Sequence, residues 1–258
     1  MIGFCPLGSG SKGNSCYFAS ERTRVLIDAG LSGRATDQRL QQIGASLDDI
    51  QAIFITHDHH DHIAGLKQLA IRRGIPVYAN AETAKGIVAS LEGEVPRFKI
   101  FQTGESFEVG DLKVTPFPIL HDTVDPVAFV IEACARRVAF CTDLGTVTPV
   151  VIQHLQGCDH LVLEANHEPD LVAMSARPLV YKQRVLGHYG HLSNRAAEGL
   201  LDAIWHTQLR SVHFAHLSSE CNRPELALKA GQKALDRSSG NLEVRIALQE
   251  RVSEAIHF

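Results

Sequence analysis

Short apolar runs alternate along the chain with stretches in which apolar residues recur every three or four positions. Runs bounded by turn residues predict strands, and the 3.6-residue period predicts helices. The pattern predicts strands over residues 24–28, 52–57 and 76–80, with helices over 35–43 and 63–72 between them. The middle is richer in strands, at 105–109, 112–120, 128–133 and 137–142. The turn signals Val109-Gly110-Asp111 and Asp125-Pro126 predict hairpins there, so the sheet is not purely parallel. A strand over 160–165, a helix over 194–207, a strand over 211–216, a helix over 224–237 and a strand over 243–248 complete the order. Mixed α/β is the class expected. Residues 168–190 are the least regular stretch and read as a loop or as short helices over a site.

With 258 residues and 45% hydrophobic content, the chain can bury a large core, and no linker or internal repeat divides it. A single domain over 1–258 is expected. No run approaches the roughly 20 apolar residues that span a bilayer, and the first residues lack a basic segment followed by a long apolar one. Cys5, Cys16, Cys134, Cys141, Cys158 and Cys221 form no CxxC pair, which suits reduced thiols and a cytoplasmic location. The net charge of −4 excludes a polycation that binds nucleic acid by bulk attraction. A phosphate-rich substrate must therefore meet a local patch. Arg22, Arg24, Lys67, Arg72, Arg73, Arg177, Lys182, Arg184 and Arg195 are available for one, although any solvated face carries such residues.

Candidate chemistry concentrates in His57-Asp58-His59-His60-Asp61-His62, between an apolar run and a helical pattern. Metal ions need several lone pairs at about 2 Å, which explains such crowding. Residues two apart in an extended segment share a direction, so His57 and His59 can grip one ion while Asp61 and His62 diverge toward another. His60 points away. Three further strands end in ligand-type residues, His121, Asp143 and His216. Each alone reads as a polar residue leaving the core, but together they suggest convergence at the strand ends of an open α/β sheet. Asp28, ending another strand, is placed to orient a ligand histidine from behind.

These residues resemble the signature of the metallo-β-lactamase superfamily. The resemblance implies a four-layer αββα sandwich, with two mixed sheets flanked by helices and two divalent ions, zinc or manganese, between them. It assigns His57, His59 and His121 to one ion, Asp61, His62 and His216 to the other, and Asp143 to the bridge, with a metal-bridging hydroxide as nucleophile. Two such ions suit phosphodiesters, thioesters, lactams and lactones alike.

Three other stretches discriminate among these substrates. Ser9-Gly10-Ser11-Lys12-Gly13-Asn14-Ser15 is either a hairpin turn or an anion cradle, with Ser9, Ser11, Asn14 and Ser15 as phosphate-binding candidates. His191, in Gly190-His191-Leu192-Ser193-Asn194, precedes a capped helix and is a candidate proton donor. Glu164 and His167 follow a strand, and His188 is a further acid–base candidate. Together these stretches resemble the YycJ-like (WalJ) branch of the superfamily. That resemblance implies a phosphodiesterase of the 5′-to-3′ DNA exonuclease type, with nucleic acid, DNA first, as the partner, and Asp61 and His191 are the candidate catalytic residues. Asn166-His167-Glu168 stands where the branch carries Asn-His-Asp, which leaves the role of His167 open. The competing readings are a thioester or lactone hydrolase of the same superfamily and a non-catalytic metal-binding scaffold.

Overall fold

The computed structural model describes residues 2–238 and 241–258. Strands β1 (Gly3–Gly8), β2 (Ser15–Ala19) and β3 (Arg24–Ile27) are followed by α1 (Gly33–Gln42), β4 (Ala52–Phe54), α2 (His60–Ile63), β5 (Val77–Ala79), α3 (Ala81–Ser90) and β6 (Phe98–Ile100). A meander of β7 (Phe107–Val109), β8 (Leu112–Pro118), β9 (Val127–Ala133) and β10 (Arg136–Cys141) leads into α4 (Pro149–Leu155) and β11 (His160–Glu164). Then come α5 (Pro169–Met174), α6 (Leu179–Leu186), α7 (Asn194–Ile204), β12 (Ser211–Ala215), α8 (Pro224–Ala230), α9 (Gln232–Arg237), β13 (Glu243–Ile246) and β14 (Ile256–His257).

The strands form two sheets, ordered β14-β1-β2-β3-β4-β5-β6 and β13-β12-β11-β10-β9-β8-β7. Each passes from an antiparallel part to a parallel part, the latter running from β3 to β6 in one sheet and from β10 to β13 in the other. Alternating side chains explain the layering. Val25, Ile27 and Phe54 of one sheet meet Val138, Phe140 and Phe129 of the other in the central core. Leu26 and Ile53 turn outward onto Leu40 and Leu69, whereas Ala139 and Leu161 turn outward onto Val151, Leu200 and Ala227. Both faces of the central strands are thus covered, which is why they read as continuous apolar runs. The result is the expected four-layer αββα sandwich.

Several boundaries differ from the sequence pattern. The strands expected to reach His57, Asn80, Leu120 and His216 stop earlier, and those residues lie in the loops that follow. The helix expected over 63–72 divides into α2 and a π-helical turn at Lys67–Arg72. Its cause is tertiary: the carbonyl of Asp61 accepts from Asn14 N–H, and Gly65 N–H donates to Ala29 O instead of continuing the helical ladder. The helix expected over 224–237 breaks at Gly231, a poor helix former. Residues 168–190 form the short helices α5 and α6. Strands β1, β2, β6 and β14 and helices α3 and α4 carried too short or too mixed a pattern to be assigned.

His160 and His213 point into the central core beside Phe4, with ring centroids 5.9 and 5.3 Å from it. Burial pushes both imidazoles down to about 4. The native state keeps them neutral, while the unfolded chain protonates them near 6.5. Their contribution to stability is therefore complete above about pH 6.5 and is lost as pH falls toward 4. The melting temperature should drop over that window, and a His160→Gln/His213→Gln variant should show a shallower slope of melting temperature against pH than the parent.

Candidate metal centre

The tract leaves β4 extended and turns into α2 at His60, with His59 at the helix N-cap in extended conformation. His57 and His59 thereby face His121, which follows β8, and the ring centroids of the three lie 4.7–5.1 Å apart. Their potential donor atoms fall within 4.8 Å of one another, as do those of Asp61, His62 and His216. Asp143 lies between the two groups. Its Oδ1 is 3.7 Å from His121 Nε2 and 3.3 Å from His216 Nδ1, and its Oδ2 is 3.2 Å from His62 Nε2. His60 is exposed on the far side of the turn.

Buried acceptors orient these rings from behind. His62 Nδ1–H donates to Asp28 Oδ2 (2.8 Å), His121 Nδ1–H to Gly190 O (3.0 Å), and His216 Nδ1–H to Glu164 Oε1 (2.9 Å). Because carboxylates and carbonyls only accept, the far nitrogen carries the proton and Nε2 is left for a ligand. Asp28 is in turn held by Thr56, through its N–H (2.9 Å) and its hydroxyl. Glu164 also accepts from His191 Nδ1–H (2.9 Å) and from the N–H groups of Leu144 and Leu192.

Asp28, Asp143 and His216, each just after a strand, adopt left-handed backbone with φ of 61°, 57° and 55°. This conformation is uncommon for residues other than glycine, and its recurrence where the site's loops leave the sheets marks a built turn. Sequence reasoning missed the backbone lacing around the tract. A Cβ at Gly30 would lie 1.6 Å from Asp61 O, and one at Gly65 would lie 2.2 Å from Leu31 O. The loop after β3 can approach the tract only because both positions are glycine.

Electrostatics suit a cation. Burial alone would lower His62 and His216, but neighbouring carboxylates, Asp143 among them, outweigh it and raise both imidazoles well above their usual value. Burial lowers His57. Asp143 stays well below the usual carboxylate range because His216 and His62 outweigh its burial, and His191 likewise holds Glu164 down at about 2. Two buried atoms at the centre, His57 Nε2 and Asp143 Oδ2, have no hydrogen-bond partner among the described residues. Such atoms are costly to leave unpaired. With imidazole and carboxylate donors converging beside them, the residues fit divalent ions of the zinc or manganese type.

A cavity of about 240 Å³ opens over the centre, and Ser11, Tyr181, Arg184 and Val185 line it together with His59, Asp61, His121, Asp143, His191 and His216. The segment 9–15 packs against the site. Ser9, Asn14 and Ser15 are buried, and Ser11 alone of the four candidates reaches the cavity. Ser9 Oγ accepts from His216 N–H (2.8 Å), and Asn14 Nδ2 donates to Asp61 Oδ2 (3.1 Å), so these side chains are spent on holding the site. Ser15 Oγ is buried without a hydrogen-bond partner among the described residues. His167 and His188 do not line the cavity: His167 is buried, which pushes it down to about 4, and His188 is exposed beside Thr146. Among the nine candidate cations, only Arg184 lines the cavity. The sequence carried no periodic signal for Tyr181 or Arg184, nor for Asp58, which accepts from the Thr123 hydroxyl and ties the tract to the loop of His121.

Residues 23–216 match the family model described as a beta-lactamase superfamily domain. The chain is 33% identical over 235 residues to exodeoxyribonuclease YycJ of Bacillus anthracis, covering 90% of this chain and 89% of that protein. The chain belongs to the metallo-β-lactamase superfamily, in its YycJ/WalJ branch. Exodeoxyribonuclease WalJ of Streptococcus pneumoniae is 34% identical over 225 residues, 86% of this chain and 83% of its own. Zn(2+)-bound PqqB from Methylobacterium extorquens superposes with a TM-score of 0.68 at 19% identity, over the full length of both chains, a likeness of fold. Membership in this metallo-β-lactamase branch makes the protein a hydrolase and implies binding of divalent metal. No helix among the described residues is long and apolar enough to cross a membrane.

Removing the carboxylate behind His62 should loosen one of the candidate ligands. Asp28→Ala should lower metal affinity about 10- to 100-fold, as measured by competition with a chromogenic chelator, while the circular dichroism spectrum stays that of the parent.

Proposed function

We propose that this protein is a dinuclear metal-dependent phosphodiesterase acting on nucleic-acid ends, as a DNA exonuclease of 5′-to-3′ type. His57, His59 and His121 would hold one ion, Asp61, His62 and His216 the other, with Asp143 between them. Two divalent ions, when bound, lower the pKa of a shared water and neutralise charge on the phosphodiester. The observation that carries the reading is His191: its Nδ1–H rests on Glu164, it lines the cavity beside the ligand cluster, and none of the proposed ion contacts needs it.

Expelling a nucleotide alkoxide requires a proton, which thioester hydrolysis, with its low-pKa leaving group, does not. His191 is built to deliver one. Glu164 fixes the ring through Nδ1, so Nε2 is free to face the departing oxygen and give it a proton. Glu164 touches His216 through the same oxygen, which ties the position of the donor to that of the ligand cluster. The names of the YycJ and WalJ relatives, exodeoxyribonucleases at 33% and 34% identity, support the choice of DNA.

Purified protein reloaded with zinc or manganese should contain two ions per chain by mass spectrometry. It should cleave DNA in a panel of single- and double-stranded DNA, RNA, thioesters and lactones; a preference for thioesters or lactones would overturn the reading. His191→Ala should retain both ions yet slow DNA cleavage about 10²- to 10⁴-fold. A nitrophenyl phosphodiester, whose leaving group needs no proton, should slow much less. Equal loss on both substrates, or loss of an ion, would remove His191 from that role.

A further inference from the structure

The two halves of the centre are backed differently. Behind His62 and His216 stand the buried carboxylates Asp28 and Glu164, and Asp61 adds a charge within that half itself. Behind His57 and His121 the partners are neutral: Thr56 Oγ1 lies 2.9 Å from His57 Nδ1, and Gly190 O accepts from His121 Nδ1–H. A divalent ion on three neutral imidazoles keeps its charge unless a carboxylate comes close, and a covered charge is costly to leave unpaired. Among the described residues, two carboxylates approach the three rings. One is Asp143, shared with the other half. The other is Asp122, whose Oδ1 lies 3.3 Å from His121 Nε2 and 3.7 Å from His59 Nε2. Asp122 is aimed from two sides. Its Oδ2 accepts from Arg184 Nε on α6, which leaves Oδ1 facing the rings. Its loop is pinned to the tract, because the hydroxyl of Thr123 donates to Asp58. The Asp122 side chain is 27% exposed, so it lies against the cluster rather than out in solvent.

We propose that Asp122 is a further carboxylate of the tri-histidine half, that Arg184 positions it, and that its charge sets the affinity and the metal preference of that half. This rests on the two-ion reading above and goes beyond it by adding a residue outside the seven ligands. Imidazole donors suit zinc, whereas an added carboxylate oxygen suits manganese. Asp122 therefore moves the tri-histidine half toward manganese. Arg184 acts through Asp122: it touches no ring of the cluster, and its hold on Oδ2 fixes where Oδ1 points.

The test is titration of the metal-free protein with manganese alone, followed by electron paramagnetic resonance, and with zinc alone, followed by competition with a chromogenic chelator. Asp122→Asn keeps the shape of the side chain and an acceptor for Arg184 while removing the charge. For one of the two ions it should weaken manganese binding about 10- to 100-fold and zinc binding less, with the circular dichroism spectrum of the parent. Asp28→Ala, behind the other half, should weaken the other ion. Arg184→Ala should weaken the same ion as Asp122→Asn by about 2- to 10-fold and should add nothing in the Asp122→Asn background, while Arg184→Lys should recover most of its loss. Affinities for both ions within twofold of the parent in Asp122→Asn overturn the proposal. So does an equal loss of zinc and manganese, or an Arg184→Ala effect that persists in the Asp122→Asn background. A parent that binds a single ion overturns the two-ion reading itself, a pattern distinct from two ions held alike by the parent and by Asp122→Asn.

Discussion

One buried carboxylate ties the site together. Glu164 is fully inaccessible, and its two oxygens accept from His191 Nδ1–H, His216 Nδ1–H, Leu144 N–H and Leu192 N–H. Those groups come from three segments remote in sequence, the loop after β10, the turn before α7 and the loop after β12, and they meet at the end of β11. A buried charge is tolerated only when its hydrogen bonds are made, so the loops must settle where they satisfy it. The position of His216 beside Asp143, and of His191 over the cavity, follows from that requirement.

Asp28 repeats the arrangement in the other sheet, where it accepts from His62 and Thr56. Two carboxylates, one per sheet, thus brace histidines that meet at the mouth of the sandwich. The sheets supply rigidity because their central strands are covered on both faces, and the loops supply reach through left-handed turns at Asp28, Asp143 and His216. Arg184 and Tyr181 sit on a short helix outside the sheets and line the cavity, apart from both braces.

Much of the core and of the ligand cluster was legible in the sequence. Ala52–Phe54 is an apolar run of a strand covered on both faces, and extended spacing puts His57 and His59 on one side, whereas Asp61 and His62 take their directions from α2, which begins at His60. Strand ends were overrun, because a polar residue that continues an apolar run looks like its last residue. β1 and β2 were passed over because glycine and serine dilute their pattern.

Sequence by itself determined which residue types could bind metal, and that they lie where strands end, since both follow from local chemistry and periodicity. Only the tertiary structure decided what each polar residue is spent on. Asn14 and Ser9 carry the chemistry of an anion cradle, yet burial beside Asp61 and His216 consumes their hydrogen bonds. Arg184 looks like any solvated cation, yet the packing of α6 sets it over the cavity. A side chain's capacity to bond is written in its residue type, whereas the partner that takes up that capacity depends on segments up to two hundred residues apart being brought into contact.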